Sequence, residues 1–171
     1  MRKKLTEQDN CYTPKYLVDY FGTFDYDPAT TKEQARYLNI INYDTIETDG
    51  LTKDWNYNKI WLNPPFTKKF EFLEKAVKTY KHYKNDIYIL FPIESMTTKK
   101  WYDVIDNVRF KMYIPCYRVG FIVDNKQYHS GAFGVVVLKL QDNYDIEILK
   151  DIRGDKKIKD ILKGDDKDGK N

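Results

Sequence analysis

A chain of 171 residues with 42% hydrophobic and 16% aromatic content carries enough apolar side chains for one well-filled core and is short for two. Its 29 basic and 26 acidic side chains leave a net charge of +3, too slight a bias to mark a nucleic-acid binder, so local clustering must carry any such argument. No apolar stretch approaches bilayer length, the start Met1-Arg2-Lys3-Lys4-Leu5-Thr6-Glu7 lacks a signal-peptide core, and Cys11 and Cys116 imply neither a disulfide framework nor a zinc site, so a cytoplasmic protein without metal is expected.

Tyr16, Leu17, Tyr20 and Phe21 follow Pro14, a residue favoured at helix starts, and predict a short helix within residues 13–21. Phe24 to Asp27 reads as the first strand, followed by Pro28-Ala29-Thr30-Thr31 and a helical stretch to about Asn39. Strand, turn and helix in that order make a nucleotide-binding corner without a phosphate loop, where the Asp27 carboxylate can take an ammonium or a ribose hydroxyl. With equal weight, Asp27 or Thr31 simply caps the helix. Residues 40–51 lack helical periodicity and close in Asp49-Gly50, and Trp55-Asn56-Tyr57-Asn58 is a turn-rich bend.

Lys59 to Leu62 is a strand that runs into Asn63-Pro64-Pro65-Phe66. Two prolines can neither continue a ladder nor enter a helix interior, so the chain leaves the sheet at a rigid angle and Asn63 is held at the strand's carboxyl end, where open α/β sheets bind ligands. The Asn63 side-chain oxygen and the Pro64 carbonyl together can accept both hydrogens of an exocyclic amine, while Phe66 offers a face to a planar ring; an aromatic amine, adenine above all, fits that set. Asn-Pro also opens ordinary turns, and an aromatic after a turn is often a core plug. An Asn-Pro-Pro-aromatic string nevertheless arises by chance in only roughly one chain of this length in several hundred.

Phe70, Leu73, Ala76, Val77 and Tyr80 form one stripe and predict a core-facing helix over residues 68–83. Ile87 to Phe91 is a near-continuous apolar strand of the kind covered on both faces. A short helix over about Lys99 to Asp106 precedes strands near Phe110–Ile114 and Phe133–Leu140. The alternation predicts a single α/β domain over residues 1–149, with a mostly parallel sheet and an antiparallel edge. From Lys150 the composition turns to Lys, Asp and Gly, so residues 150–171 are expected to form a flexible charged tail, with Ile158, Ile161 and Leu162 able to dock one turn.

In chain order, Tyr12-Thr13-Pro14 with Leu17, Phe24 through Ala29, Thr48-Asp49-Gly50-Leu51 with Trp55, Trp61 through Phe66, and Arg118 with Phe121 form an ordered set over about residues 11–140. On that set the chain resembles the small, phage-type Dam-like DNA adenine N6-methyltransferases. These amino-methyltransferases depend on S-adenosylmethionine (AdoMet), and their signature is Asn, Asp or Ser followed by Pro-Pro and an aromatic residue. The resemblance implies a shortened Rossmann-like class I AdoMet-dependent methyltransferase domain that transfers the AdoMet methyl group to the N6 amine of adenine in DNA. No Gly-x-Gly follows the first strand and no acidic strand end of the usual ribose-binding kind is identifiable, two departures from the wider superfamily.

By the same resemblance Asn63, Pro64, Pro65 and Phe66 are the catalytic group, with Phe66 stacking on a base flipped out of the duplex. Asp27 meets the methionine or ribose part of AdoMet, Asp49 its adenine amine, and Thr13 and Pro14 close the methionine end; Pro28, Ala29, Gly50 and Asn63 complete the cofactor set. Lys68 and Lys69 lie just beyond the motif, as Lys99 and Lys100 lie beyond the next strand, and each pair is a backbone contact to DNA or a solvated helix face. The segment from Tyr117 to Ser130 is a substrate-side loop, with Arg118, Phe121, Asn125 and Gln127 toward DNA, or equally a surface hairpin turning at Asp124-Asn125. No separate target-recognition domain fits, so reading falls to loops and the site is short or relaxed unless a homodimer forms. The same motif suits an RNA adenine, a cytosine N4 amine or a protein glutamine amide, and the absent glycine-rich loop leaves room for an inactive DNA-binding relative. If phage-encoded, the protein belongs in the host cytoplasm, and a part in restriction-modification is the family-level expectation.

Overall fold

The computed structural model describes residues 11–123, 126–127 and 133–150, with the side chains of 123, 126 and 127 outside that description. The amino-terminal residues 1–10, Asn125, the Gln127 side chain and all of the expected tail but Lys150 therefore lie outside the described residues. In chain order the elements are α1 (Lys15–Tyr20), β1 (Tyr26–Asp27), α2 (Lys32–Leu38), β2 (Asn42–Tyr43), β3 (Lys59–Leu62), α3 (Lys69–Tyr83), β4 (Asp86–Pro92), α4 (Lys99–Ile105), β5 (Arg109–Pro115), β6 (Ile122–Val123), β7 (Lys126–Gln127), β8 (Val135–Gln141) and β9 (Asp145–Leu149).

Seven strands form one open sheet in the order β2-β1-β3-β4-β8-β5-β9, a Rossmann-like α/β arrangement. All neighbours are parallel except β8, which runs antiparallel to both β4 and β5. The antiparallel element expected near the end of the chain is thus β8, in the half of the sheet away from β1. The pair β6–β7 is a separate two-stranded antiparallel ribbon with Ile122 opposite Gln127. From β1 the chain winds outward to β2, and from β3 it winds the other way to β4, so the carboxyl ends of β1 and β3 flank the point where strand order reverses. Such a crevice is where open sheets bind ligands.

Both faces of the sheet are covered, and the period-two alternation of the strands divides the core into two layers. Ile60 and Leu62 of β3, Ile87, Ile89 and Phe91 of β4, and Val136, Leu138 and Leu140 of β8 pack with Phe72, Leu73, Ala76, Val77 and Tyr80 of α3 and with Trp101 and Ile105 of α4. The intervening Trp61, Tyr88, Leu90, Val135 and Val137 pack with Leu17 and Val18 of α1 and with Leu38 of α2. Each large side chain so buried contributes about 1.5–3 kcal/mol, which makes β3 a stiff base for whatever follows it. No helix among the described residues is long and apolar enough to cross a membrane.

Phe24 and Asp25, expected in the first strand, lie outside its ladder. The Asp25 carboxylate accepts the Lys59 N–H at 2.9 Å and the Asp25 N–H donates to the Lys59 carbonyl at 2.8 Å, while the Phe24 ring sits edge-on to Trp61 and Tyr88. The Trp55 bend is pinned by Asn85, whose amide nitrogen donates to the carbonyls of Trp55 and Tyr57 at 3.1 and 3.0 Å. Two short strands, β2 and β9, were not expected from the sequence.

Candidate active site

The site starts from the end of β3. Ile60, Trp61 and Leu62 are fully buried, so the residue after them cannot drift. That residue is Asn63, whose Nδ2 donates to the Cys11 carbonyl at 3.0 Å and to Thr13 Oγ1 at 3.1 Å. With the nitrogen so occupied, Oδ1 is the acceptor end of the amide.

On one side of Asn63 lies a cavity of about 450 Å³, within the range of small-molecule sites. One wall is Asp27-Pro28-Ala29-Thr30-Thr31 with the start of α2, a second is Thr45-Ile46-Glu47 with Asp49 and Gly50, and a third is Asn63-Pro64-Pro65 with Lys68 and Phe72. The first two walls meet through a close approach. A Cβ on Gly50 would stand 2.0 Å from the Pro28 carbonyl oxygen, so only glycine fits there. Asp49 takes a left-handed conformation, φ 51°, with its carboxylate accepting the Leu51 N–H at 3.3 Å, and the buried Trp55 indole N–H donates to the Gly50 carbonyl at 2.8 Å.

Asp27 is 2% exposed and lines this cavity. Burial pushes its carboxyl up to about 7, against the pull of the Ala29 N–H, which donates to Oδ1 at 3.0 Å, and of the Thr30 hydroxyl. That hydroxyl is buried beside the carboxyl, whose ionised form it favours as a hydrogen-bond donor. The helix cap is Thr31, whose Oγ1 accepts the Gln34 N–H at 3.2 Å, so the alternative that Asp27 caps α2 is set aside.

On the other side of Asn63 is a second, much smaller pocket of about 30 Å³, with room for a water or two. Cys11, Asn63 and Pro64 line both spaces and form the partition between them. The small pocket is walled by Phe66, Leu90, Phe121 and Phe133. The Phe66 and Phe133 rings lie 6.0 Å apart at 56°, and Phe121 stacks on Phe133 at 5.7 Å. The Lys69 ammonium sits 3.9 Å over the Phe66 ring and donates to the Phe66 carbonyl at 3.2 Å.

The expected residues therefore distribute as follows. Thr13, Asp27, Pro28, Ala29, Asp49, Gly50, Pro65 and Lys68 line the large cavity, Phe66, Lys69 and Phe121 the small pocket, and Asn63 and Pro64 both. Pro14 lines neither; it is the buried residue at the start of α1. Arg118 is exposed and also lines neither. The backbone around it leads into the β6–β7 ribbon, which either a substrate-side loop or a surface hairpin can contain, and the turn at Asp124-Asn125 lies outside the described residues. Lys99 is paired with Asp103 at 2.6 Å along the surface of α4. Sequence reasoning missed the Cys11 carbonyl, Gln34, Leu90 and Phe133. Gln34 had a readable signal, since it shares the buried stripe of α2 with Ala35 and Leu38, and its Nε2 donates to the Thr13 carbonyl at 3.0 Å.

Residues 3–156 match the family model described as DNA N-6-adenine-methyltransferase (Dam). The chain is 28% identical over 125 residues to the DNA N-6-adenine-methyltransferase of Haemophilus phage HP1 (strain HP1c1), an alignment that covers 70% of this chain and 69% of that protein. It is 31% identical over 90 residues to the protein of the same description from Escherichia phage T1, covering 50% of this chain and 36% of the phage T1 protein. Among solved structures it is similar to a Listeria monocytogenes protein assigned to the class I S-adenosylmethionine-dependent methyltransferases, with TM-score 0.45 and 10% identity over 86% of this chain and 57% of that one. The matched span contains every strand of the sheet and the partition of Cys11, Asn63 and Pro64, and the chain belongs to the DNA N-6-adenine-methyltransferase (Dam) family.

Proposed function

We infer that the chain methylates the N6 amine of adenine in DNA, with the cofactor in the large cavity and the target base entering the small pocket. The observation that carries this arrangement is the shared partition: Cys11, Asn63 and Pro64 line both a small-molecule cavity and an aromatic-walled pocket. The large cavity fits AdoMet on two counts: a buried carboxyl with no ion-pair partner among the described residues, and the Gly50 approach that keeps the two walls together. Asp27 would hold the ammonium or ribose part and Asp49 the adenine amine. Bound AdoMet supplies a methyl group already activated on a sulfonium, with a neutral leaving group.

The chain's own residues then have only to place the acceptor. Asn63 Oδ1 and the Pro64 carbonyl accept the two hydrogens of the adenine amine and turn its lone pair toward the large cavity. As positive charge grows on nitrogen, both oxygens bind it more strongly, which lowers the barrier and not merely the ground state. A duplex hides the amine, so the base must leave the stack, and the small pocket must open between Phe66, Phe133 and Lys69 to admit it. Lys69 lines that pocket, and Lys68 beside it lines the large cavity. The methyltransferase domain is proposed to be residues 1–149; β9 ends at Leu149, and the family model matches residues 3–156. Its substrate places it with DNA in the cytoplasm, that of the host if phage-encoded, and a homodimer is one way for so small a reader to lengthen its site.

Incubation of DNA with tritium-labelled AdoMet and digestion to nucleosides tests the proposal. Label in N6-methyladenine is expected. Label confined to N4-methylcytosine, or none in DNA while the protein binds AdoMet, would overturn it.

A further inference from the structure

The Asn63 amide has an acceptor end and a donor end, and the amine clamp can use only the acceptor. Turning the amide by half a revolution would set its NH2 against the hydrogens of the target amine. Nothing within asparagine prevents this, because its terminal torsion is broad and nearly two-fold. The choice is made from outside. A carbonyl only accepts, so Cys11 at 3.0 Å must face Nδ2, and Thr13 Oγ1 at 3.1 Å takes the other Nδ2 hydrogen.

These two acceptors are themselves held from both sides. Thr13 is 1% exposed, and its carbonyl accepts from Gln34 Nε2 of α2 at 3.0 Å. The Thr31 hydroxyl at the head of the same helix donates to the Tyr12 hydroxyl at 3.0 Å. On the opposite side the Tyr12 N–H donates to the Ile122 carbonyl at 2.9 Å and the Ile122 N–H returns to Tyr12 at 3.0 Å. Residues 11–13 thus tie the wall of the large cavity to the root of the β6–β7 ribbon and present two fixed acceptors to Asn63.

We propose that Thr13 is a positioning residue for methyl transfer: with the Cys11 carbonyl, its hydroxyl fixes the orientation of the Asn63 amide so that Oδ1 faces the target amine. This role rests on the amine clamp at Asn63 and differs from a cofactor contact, which is the part the family resemblance gives Thr13.

Thr13→Val keeps the shape and removes the acceptor, whereas Thr13→Ser keeps it. Single-turnover methylation of adenine-containing DNA at saturating AdoMet, AdoMet affinity by calorimetry, and the Asn63 side-chain amide resonances of ¹⁵N-labelled protein are compared across wild type and both variants. Thr13→Val is expected to slow transfer about tenfold, to change AdoMet affinity by less than about threefold, and to shift an Asn63 amide proton upfield; Thr13→Ser restores both rate and resonance. A Thr13→Val rate within threefold of wild type overturns the proposal, as does a loss confined to AdoMet affinity, an equal loss in Thr13→Ser, or unshifted Asn63 resonances. A wild-type protein that leaves adenine unmethylated sinks the functional reading instead, and the amide resonances still report on the clamp.

Discussion

Replacing Asp27 by Asn should stabilise the free protein, and more so the higher the pH. The carboxyl is buried and its pKa is pushed from 3.8 to about 7, so the native protein holds a proton that the unfolded chain releases across that window. Stability therefore falls as pH rises from about 4 to 7, and above 7 the native state carries a buried charge with no ion-pair partner among the described residues. Three pH units at about 1.4 kcal/mol each set an upper bound of about 4 kcal/mol at pH 8, and roughly 2 kcal/mol at pH 5. Asn keeps an oxygen for the Ala29 N–H and carries no charge, so Asp27→Asn recovers most of that amount. For a chain of this size, a gain of about 2–4 kcal/mol is a rise in Tm of roughly 5–15 °C at pH 8, with a smaller rise at pH 5. Calorimetric unfolding of both proteins at the two pH values reads this directly. The same substitution should weaken AdoMet binding and flatten its rise with pH through 7, if an ammonium is what the carboxylate awaits. Equal Tm differences at pH 5 and pH 8, or a variant less stable than wild type at pH 8, would refute the account of Asp27 as an uncompensated buried acid.

Gly50→Ala drives a methyl group into the Pro28 carbonyl and should cost about 1–3 kcal/mol, seen as a lower Tm and as AdoMet affinity reduced tenfold or more; wild-type affinity would show that the two walls are not locked by this approach. Asn63→Ala should slow transfer by at least about a hundredfold with AdoMet affinity within a few-fold of wild type, because the lost contact is strongest in the transition state. Turnover near wild type would remove Asn63 from the clamp. Lys69→Ala uncovers the Phe66 ring and deletes a cation near the DNA path, so DNA binding measured against salt should show a slope shallower by roughly 0.9; an unchanged slope would take Lys69 off the phosphate backbone.

The half of the site built on β3 was legible because two strong local signals coincide there: an apolar run and a pair of prolines allow one exit from the sheet. The Asp27 corner was legible as a place but not as a role, since Asp and Thr are both good helix caps and only burial separates the capping Thr31 from the sequestered Asp27. The small pocket was less readable. Leu90 of β4 and Phe133, which lies two residues before β8 and not in the strand expected from it, meet because β8 pairs with β4, a non-local pairing that no spacing in the chain records. The Cys11 carbonyl has no signature at all, because any residue would offer one. Arg118 lines neither space and is exposed, a position open to a DNA contact that the two pockets do not test. The strand β9 was hidden by its acids: Asp145 and Glu147 alternate with isoleucines, yet both carboxylates pair with Lys111 of β5, at 3.2 and 2.7 Å.

The thinness of the partition at Asn63 and Pro64 bears on how the protein could be inhibited. Two ligands of modest affinity, an adenosine-like group for the large cavity and a planar amine for the small pocket, would lie with a single contact layer between them. A short covalent bridge past Asn63 would make the second binding event intramolecular, at an effective concentration in the millimolar range, and avidity gains of about 10²–10⁴ then need no new contact. Selectivity would follow from the same geometry, because a protein with a cofactor cavity alone offers nothing to the second group.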